Sequence, residues 1–178
     1  MEGVTGSSPV TSTREGDRGM RQQYETQADL MSEKAVADKI ATQTSQWADW
    51  LVQHGVGFLA NVVMQKLPAM TYKLDWCVTR GSDIVAWAEL KIRNMTIEKY
   101  PDVMLSTHKL IAGRTLATQT GVPFVVFIAF TDCLGFHVVD LKNPYPMKYG
   151  GRTVATRDPA DIEPVCYMDV SSFYSFRS

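Results

Sequence analysis

The sequence has few cysteines, and it contains no long apolar run. Its three cysteines, Cys77, Cys133 and Cys166, form no C-x-x-C pair. This odd, scattered set argues against a disulfide framework and against a zinc knuckle, and it favours a reducing compartment. No apolar run reaches the roughly 18 residues that a membrane-spanning helix needs, and the N-terminus lacks the apolar region of a signal peptide. We therefore expect a cytoplasmic protein.

The charges of the chain nearly cancel, which excludes a polycation. The 18 Lys and Arg residues and the 19 Asp and Glu residues give a net charge of -1, so any contact with nucleic acid has to come from a local patch. The 178 residues, 45% of them hydrophobic, suffice for one domain. We expect residues 1–20, rich in Gly, Ser, Thr and charge, to be disordered. Residues 21–178 then form a single domain, with a core at about 32–141 and a less regular C-terminal extension at 142–178.

Two helices are predicted from apolar spacing and from capping residues. The first runs from Ser32, a good N-cap, to about Gln53, and its core face is formed by Val36, Ile40, Thr44, Trp47 and Leu51. Glu33 lies on that same face. The second runs from about Asp102 to Gln119, with a predicted buried face of Met104, Leu105, His108, Ile111, Ala112, Thr115 and Leu116. Lys109 lies at the edge of that face.

Strands follow the second helix. The segment 122–130 (VPFVVFIAF) is almost wholly apolar, which is typical of a strand buried on both sides in the centre of a sheet. Another strand is predicted at Gly135–Leu141. Short strands are also expected near Thr153 and Cys166.

A hairpin between the two helices carries the most informative residues. Its predicted strands are Met70–Thr79 and Ile84–Ile92, joined by a turn at 80–83 (RGSD). If the apolar faces of both strands are buried together, the residue numbers of two paired residues add up to about 164. This register places Asp75 opposite Glu89. Directly opposed residues have Cβ atoms roughly 4.5–5.5 Å apart. Two carboxylates at that distance repel each other unless a cation or a proton intervenes, and a purely structural hairpin does not require such a pair.

This arrangement can hold a divalent metal ion beside a phosphate. Mg²⁺ prefers oxygen ligands and keeps several waters, so Asp75, Glu89 and the backbone carbonyl of Leu90 are candidate ligands, and we expect Mn²⁺ to substitute. Such an ion polarises a phosphate and activates a bound water. Lys91 could orient or help deprotonate that water, or stabilise charge on the phosphate. Glu33 could hold a metal-bound water or a second ion, and Lys109 could contact the phosphate.

The order helix, hairpin with D…E-x-K, helix, apolar strand, strand resembles the PD-(D/E)XK nuclease superfamily over roughly residues 32–141. The resemblance implies an α/β, restriction-endonuclease-like core of αβββαβ type, with a central mixed sheet flanked by helices. It also implies Mg²⁺-dependent hydrolysis of DNA. Asp75 matches the first acid, Glu89 the second, Lys91 the lysine and Glu33 the acid of the first helix, while Lys109 matches a basic or polar helix residue of some members. Leu74 stands where many members have proline. The small size resembles phage or mobile-element nucleases and junction resolvases.

Other interpretations of the same residues remain open. An E-x-K by itself is common in solvated strands. The protein could be a non-catalytic nucleic-acid-binding or assembly protein that retains the fold, or a structural domain whose acidic pair is neutralised by Lys73 and Lys91. A homodimer would suit the cutting of two strands. The preferred DNA structure, activity on RNA, and exonuclease or endonuclease action are not fixed by these residues.

Overall fold

The computed structural model describes residues 27–42, 61–151 and 162–176 of the chain. The helices are α1 (Gln27–Thr42), the single turn α2 (Ala69–Tyr72) and α3 (Thr107–Thr120); the strands are β1 (Val63–Lys66), β2 (Trp76–Arg80), β3 (Asp83–Ile92), β4 (Asp102–Ser106), β5 (Phe124–Ala129), β6 (Leu134–Val138), β7 (Met147–Gly151), β8 (Ile162–Asp169) and β9 (Tyr174–Ser175). Short 3₁₀ turns lie at Ile97–Lys99 and Val170–Ser172. None of the helices in these three ranges is long and apolar enough to cross a membrane.

The strands form two sheets. The larger one has the order β1-β2-β3-β5-β6-β9, and the smaller one has the order β4-β8-β7. In the larger sheet β3 and β5 are parallel, while the other neighbours are antiparallel. Residues of α1 pack on one face of this sheet, and α3 packs with the smaller sheet on the other. The predicted α/β architecture, a central mixed sheet flanked by helices, is confirmed.

Strand β5 links the two halves of the core. Val125 and Phe127 face α1, whereas Phe124, Val126 and Ile128 face α3, and all five side chains are fully buried. A strand whose odd-numbered and even-numbered residues are both apolar has to be covered on both faces. The sequence-based assignment of this segment as a central strand is therefore confirmed.

The predicted hairpin register is also confirmed where the strands pair. Trp76 is the partner of Ala88, and Val78 is the partner of Ala86, which gives the expected sum of 164. The register then shifts between Val78 and Thr79. Asp75 lies immediately before the first pair, one step outside the ladder, and is therefore adjacent to Glu89.

The predicted start of the first hairpin strand was wrong. Instead of beginning at Met70, the strand begins at Trp76, and α2 precedes it. Lys73 adopts a left-handed backbone conformation with φ of 56°, which interrupts the alternation of the strand. As a result, Leu74 packs on the α3 side of the sheet, away from Trp76 on the α1 side.

The boundary of the first helix differs from the prediction. The helix already includes Gln27, so Ser32 lies within it and is not its N-cap. Ile40 and Val36 pack in the core as expected, together with Ala37. The remaining predicted core residues, Thr44, Trp47 and Leu51, and the predicted end near Gln53 lie outside the described residues, as do residues 1–20.

The second helix was predicted to begin too early. Residues 102–106 form β4, and α3 begins only at Thr107. The predicted buried face is partly confirmed, because Ala112 and Leu116 pack against the core. His108, Ile111 and Thr115 are instead exposed, and the fully buried helix residues are Leu110, Gly113 and Ala117. The partner of β4 is β8, about sixty residues further along the chain, and local spacing cannot reveal such a partner.

Two further regions contain strands that the sequence patterns did not fully predict. Strand β1 was missed, although buried Met64 alternates with exposed neighbours. In the C-terminal extension the strand expected near Cys166 is confirmed as β8, whereas the one near Thr153 lies outside the described residues. The extension also contains β7, which includes Gly150 and Gly151 and was not predicted.

Gly113 allows α3 to lie directly on the sheet. A Cβ atom at this position would overlap the ring of Phe124, which is fully buried. We expect Gly113→Ala to lower the free energy of unfolding by about 1–3 kcal/mol, because overpacking outweighs the better helix propensity of alanine. Urea unfolding would measure this, with the exposed Thr118→Ala on the same helix as a control. Equal stability of both variants would contradict the close packing.

Candidate active site

Four charged side chains converge on the face of the large sheet that α3 covers. Asp75 precedes β2, Glu89 and Lys91 lie two residues apart on β3, and Lys109 is in the first turn of α3. The Nζ atom of Lys91 lies 2.5 Å from Oε1 of Glu89, and the Nζ atom of Lys109 lies 2.5 Å from Oδ1 of Asp75. Lys109 is also 3.4 Å from Oε2 of Glu89. The four residues therefore form one continuous ionic cluster.

Glu89 is the buried centre of this cluster. Its side chain has no exposed area, and its Oε2 atom has no hydrogen-bond partner among the described residues. Burial raises the pKa of this carboxyl, and the nearby Asp75 raises it further, while the ammonium groups of Lys91 and Lys109 act in the opposite direction. The net direction is upward, because two neighbouring lysines do not replace the lost hydration of a fully buried carboxylate.

The other three side chains connect Glu89 to the solvent. The side chains of Asp75, Lys91 and Lys109 are 26%, 23% and 22% exposed. A charged group bound from solution can therefore reach the rim of the cluster without opening the core. Lys109 was predicted at the edge of the buried face of its helix, and its side chain is partly buried in the structure.

The structure places Glu33 next to Lys66 on β1. The Nζ atom of Lys66 lies 2.5 Å from Oε2 of Glu33 and also above the ring of Trp76, which faces α1. Lys66 pairs with Trp76 in the sheet, one residue beyond Asp75. The described ion pair of Glu33 is thus with Lys66 and not with any of the four clustered residues. Leu90 lies between Glu89 and Lys91, with its side chain buried on the α1 side.

Arg93, just after β3, continues the row of charged side chains formed by Glu89 and Lys91. It follows Glu89 and Lys91 at the same alternation, and its guanidinium donates to the carbonyls of Ile92 and Met104 at 3.4 and 3.3 Å. Burial lowers its pKa. Within the described part of the chain, no carboxylate forms an ion pair with Arg93.

The oxygen atoms of the cluster fit a hard divalent cation. Asp75 and Glu89 supply two carboxylates, and the buried Oε2 of Glu89 lacks a hydrogen bond. In residues 27–42, 61–151 and 162–176, no group of three or more His, Cys, Asp or Glu side chains could hold a metal ion. A two-carboxylate site suits Mg²⁺, which commonly takes one or two carboxylates and completes its shell with water and phosphate oxygens.

The sequence alone does not show two tertiary contacts of these residues. The Glu33–Lys66 pair depends on β1, a four-residue strand with little apolar alternation. Arg93 had a usable signal, because its parity along β3 matches that of Glu89 and Lys91, but only the fold shows that the guanidinium lies beside β4.

The mixed sheet and the flanking helices define a restriction-endonuclease-like fold, which carries the D…E-x-K cluster on the face under α3. The chain belongs to the family described as "Phage putative PDDEXK endonuclease", which matches residues 19–176. Among solved structures, it is similar to the Holliday junction resolvase Hjc of Archaeoglobus fulgidus, with 17% sequence identity and a TM-score of 0.39. That match covers 70% of this chain and 88% of the resolvase. No curated protein matches the sequence.

Proposed function

We propose that this protein is a divalent-metal-dependent nuclease that hydrolyses phosphodiester bonds of DNA. The observation that carries the proposal is the cluster around Glu89: a fully buried carboxylate with one unsatisfied oxygen, next to Asp75 and two lysines. Burying a carboxylate beside a second one is unfavourable, and a metal site would account for the arrangement. Membership of a PDDEXK endonuclease family supports the same activity.

Each residue of the cluster has a distinct proposed role. Asp75, Glu89 and the backbone carbonyl of Leu90 would hold Mg²⁺ or Mn²⁺. When bound, the ion polarises the scissile phosphate and lowers the pKa of a water molecule. Lys91, on the solvent side of Glu89, orients the attacking water or stabilises the negative charge that develops on the phosphate.

Residues around the cluster have supporting roles in this proposal. Arg93 binds a neighbouring phosphate of the DNA backbone, because its charge has no acidic partner among the residues described. Glu33, which is held by Lys66, lies one strand away and acts through a water molecule or a second ion. Contacts of this kind read the backbone and its shape more than the base sequence. A homodimer would place two such sites on the two strands of a duplex.

The proposal is tested by incubating the full chain with supercoiled plasmid, linear duplex and branched DNA in Mg²⁺, Mn²⁺ or EDTA. Asp75→Asn is the matched variant, because it preserves the shape of the side chain and removes its charge. We expect cleavage by the wild type with either metal, none in EDTA, and a rate at least about 100-fold lower for the variant. Gel analysis of the products also separates nicking, double-strand cutting and end digestion.

Two results would overturn the proposal. Cleavage that persists in EDTA or in Asp75→Asn would show that the cluster is not the metal-dependent centre. Binding without cleavage of any DNA, by a folded wild type in both metals, would instead identify a non-catalytic nucleic-acid-binding protein.

A further inference from the structure

The ammonium group of Lys109 lies between the two carboxylates of the cluster. It reaches across from α3 and is 2.5 Å from Oδ1 of Asp75 and 3.4 Å from Oε2 of Glu89. Lys91 contacts the other oxygen of Glu89, Oε1, from the same strand. Among the ion pairs of the described residues, Lys91 contacts Glu89, whereas Lys109 contacts both Asp75 and Glu89.

The bridging position has an electrostatic reason. Two adjacent carboxylates, one of them fully buried, are stable together only with a compensating positive charge. The lysine ammonium is a compact point charge on a flexible stem, so it can take this place without a fixed geometry. The 3.4 Å distance to Oε2 is too long for a strong hydrogen bond, and it leaves that oxygen unsatisfied. A cation with a higher charge would interact more strongly with the same oxygens.

We propose that Lys109 is the internal counter-ion of the metal-free site and competes with the divalent ion for Asp75 and Glu89. This inference rests on the proposed function, because it takes these two acids as the metal ligands. The released ammonium is partly exposed and can then bind a phosphate oxygen of the substrate. Since a substrate phosphate gives Lys109 a new partner, DNA and metal ion strengthen each other's binding, as reciprocal linkage requires.

The test is the affinity for Mn²⁺ without DNA, measured by isothermal titration calorimetry on the wild type and on Lys109→Met. Methionine retains an unbranched, apolar stem and removes the charge. We expect Lys109→Met to bind Mn²⁺ about tenfold more tightly, within the usual range of coupling between sites. We also expect its metal-free form to melt at a lower temperature, because the two acids lose their counter-ion. Lys109→Arg, which keeps the charge, should stay close to the wild type.

A control for the change in net charge is Lys142→Met, beyond the end of β6. Lys142 is exposed and takes part in none of the ion pairs of the cluster. Its substitution should therefore leave Mn²⁺ affinity unchanged. If Lys109→Met does not fold, Lys109→Gln provides the same comparison.

The possible results separate the inference from the proposed function. If the wild type binds Mn²⁺ and Lys109→Met binds it equally or more weakly, the counter-ion role is wrong and the nuclease proposal is unaffected. A merely structural lysine, which positions Asp75 for the metal, would give that weaker binding. If neither protein binds Mn²⁺, the metal site itself is wrong and both proposals fall.

Discussion

Lys91→Ala is expected to abolish metal-dependent cleavage of DNA while the protein remains folded. The lysine side chain is 23% exposed at the rim of the cluster, and its Nζ atom lies 2.5 Å from Oε1 of Glu89. A group held at this point can act on a water or on a phosphate, and losing such a group typically costs 10² to 10⁴-fold in rate. We expect a loss of at least about 100-fold in kcat, with little change in KM, because the interaction develops mainly in the transition state.

The measurement for Lys91 is the initial rate of DNA cleavage in Mg²⁺ over a range of substrate concentrations. Lys142→Ala, the same change at an exposed lysine outside the ion pairs of the cluster, is the matched control and should cleave normally. Binding of DNA in EDTA and the melting temperature should stay close to wild type for both variants. Normal cleavage by folded Lys91→Ala would show that the lysine has no part in the chemistry.

Glu89→Gln is expected to inactivate the enzyme and yet stabilise the metal-free protein at neutral pH. Glu89 is fully buried, and burial raises its pKa, so a charged carboxylate is unfavourable there. The amide preserves the shape without the charge. Its lysine partners, Lys91 and Lys109, are partly exposed and can turn toward water. We expect the variant to gain about 1 kcal/mol or more in the free energy of unfolding.

The pH dependence gives this expectation a definite sign. A carboxyl whose pKa is raised in the folded state contributes stability below its unfolded pKa, about 4.3, and loses that contribution as the pH rises through the folded value. The advantage of Glu89→Gln over the wild type should therefore grow as the pH rises from about 4.3 and then level off. Urea unfolding in EDTA at several pH values would measure it.

Added Mg²⁺ should reverse this order of stability. A ligand that binds only the folded state raises the free energy of unfolding, so the wild type should gain stability with Mg²⁺, while Glu89→Gln should not. If Glu89→Gln were less stable than the wild type in EDTA at neutral pH, the ion pairs with the two lysines would outweigh the cost of burial.

The parts of the fold that the sequence predicted correctly are those with strong local patterns. Strand β5 is apolar at both parities, and the hairpin has alternating apolar residues on both sides of a short turn, so its register followed from burial. The same register brought Asp75 and Glu89 together, and the lysines follow from position along β3 and along the edge of α3.

The parts that could not be predicted depend on distant partners. Residues 102–106 have the composition of a helix start, but β8 from the C-terminal extension pairs with them and makes them a strand. The left-handed backbone at Lys73 ends the strand alternation at Leu74, and no apolar pattern indicates it. In the site, the bridging position of Lys109 and the pairing of Glu33 with Lys66 are tertiary contacts. The sequence indicates which residues carry charge, but only the fold determines which charges meet.

Strand β4 continues directly into α3, and this connection links the position of Lys109 to the pairing of β4 with β8. Ser106 ends the strand and Thr107 begins the helix, so the height of Lys109 above the sheet is set by the seating of β4 against β8. Strand β8 near the C-terminus thus helps to position Lys109, one of the four clustered charged residues. An insertion that shifts the register of β8 against β4 is therefore expected to displace Lys109 from the cluster.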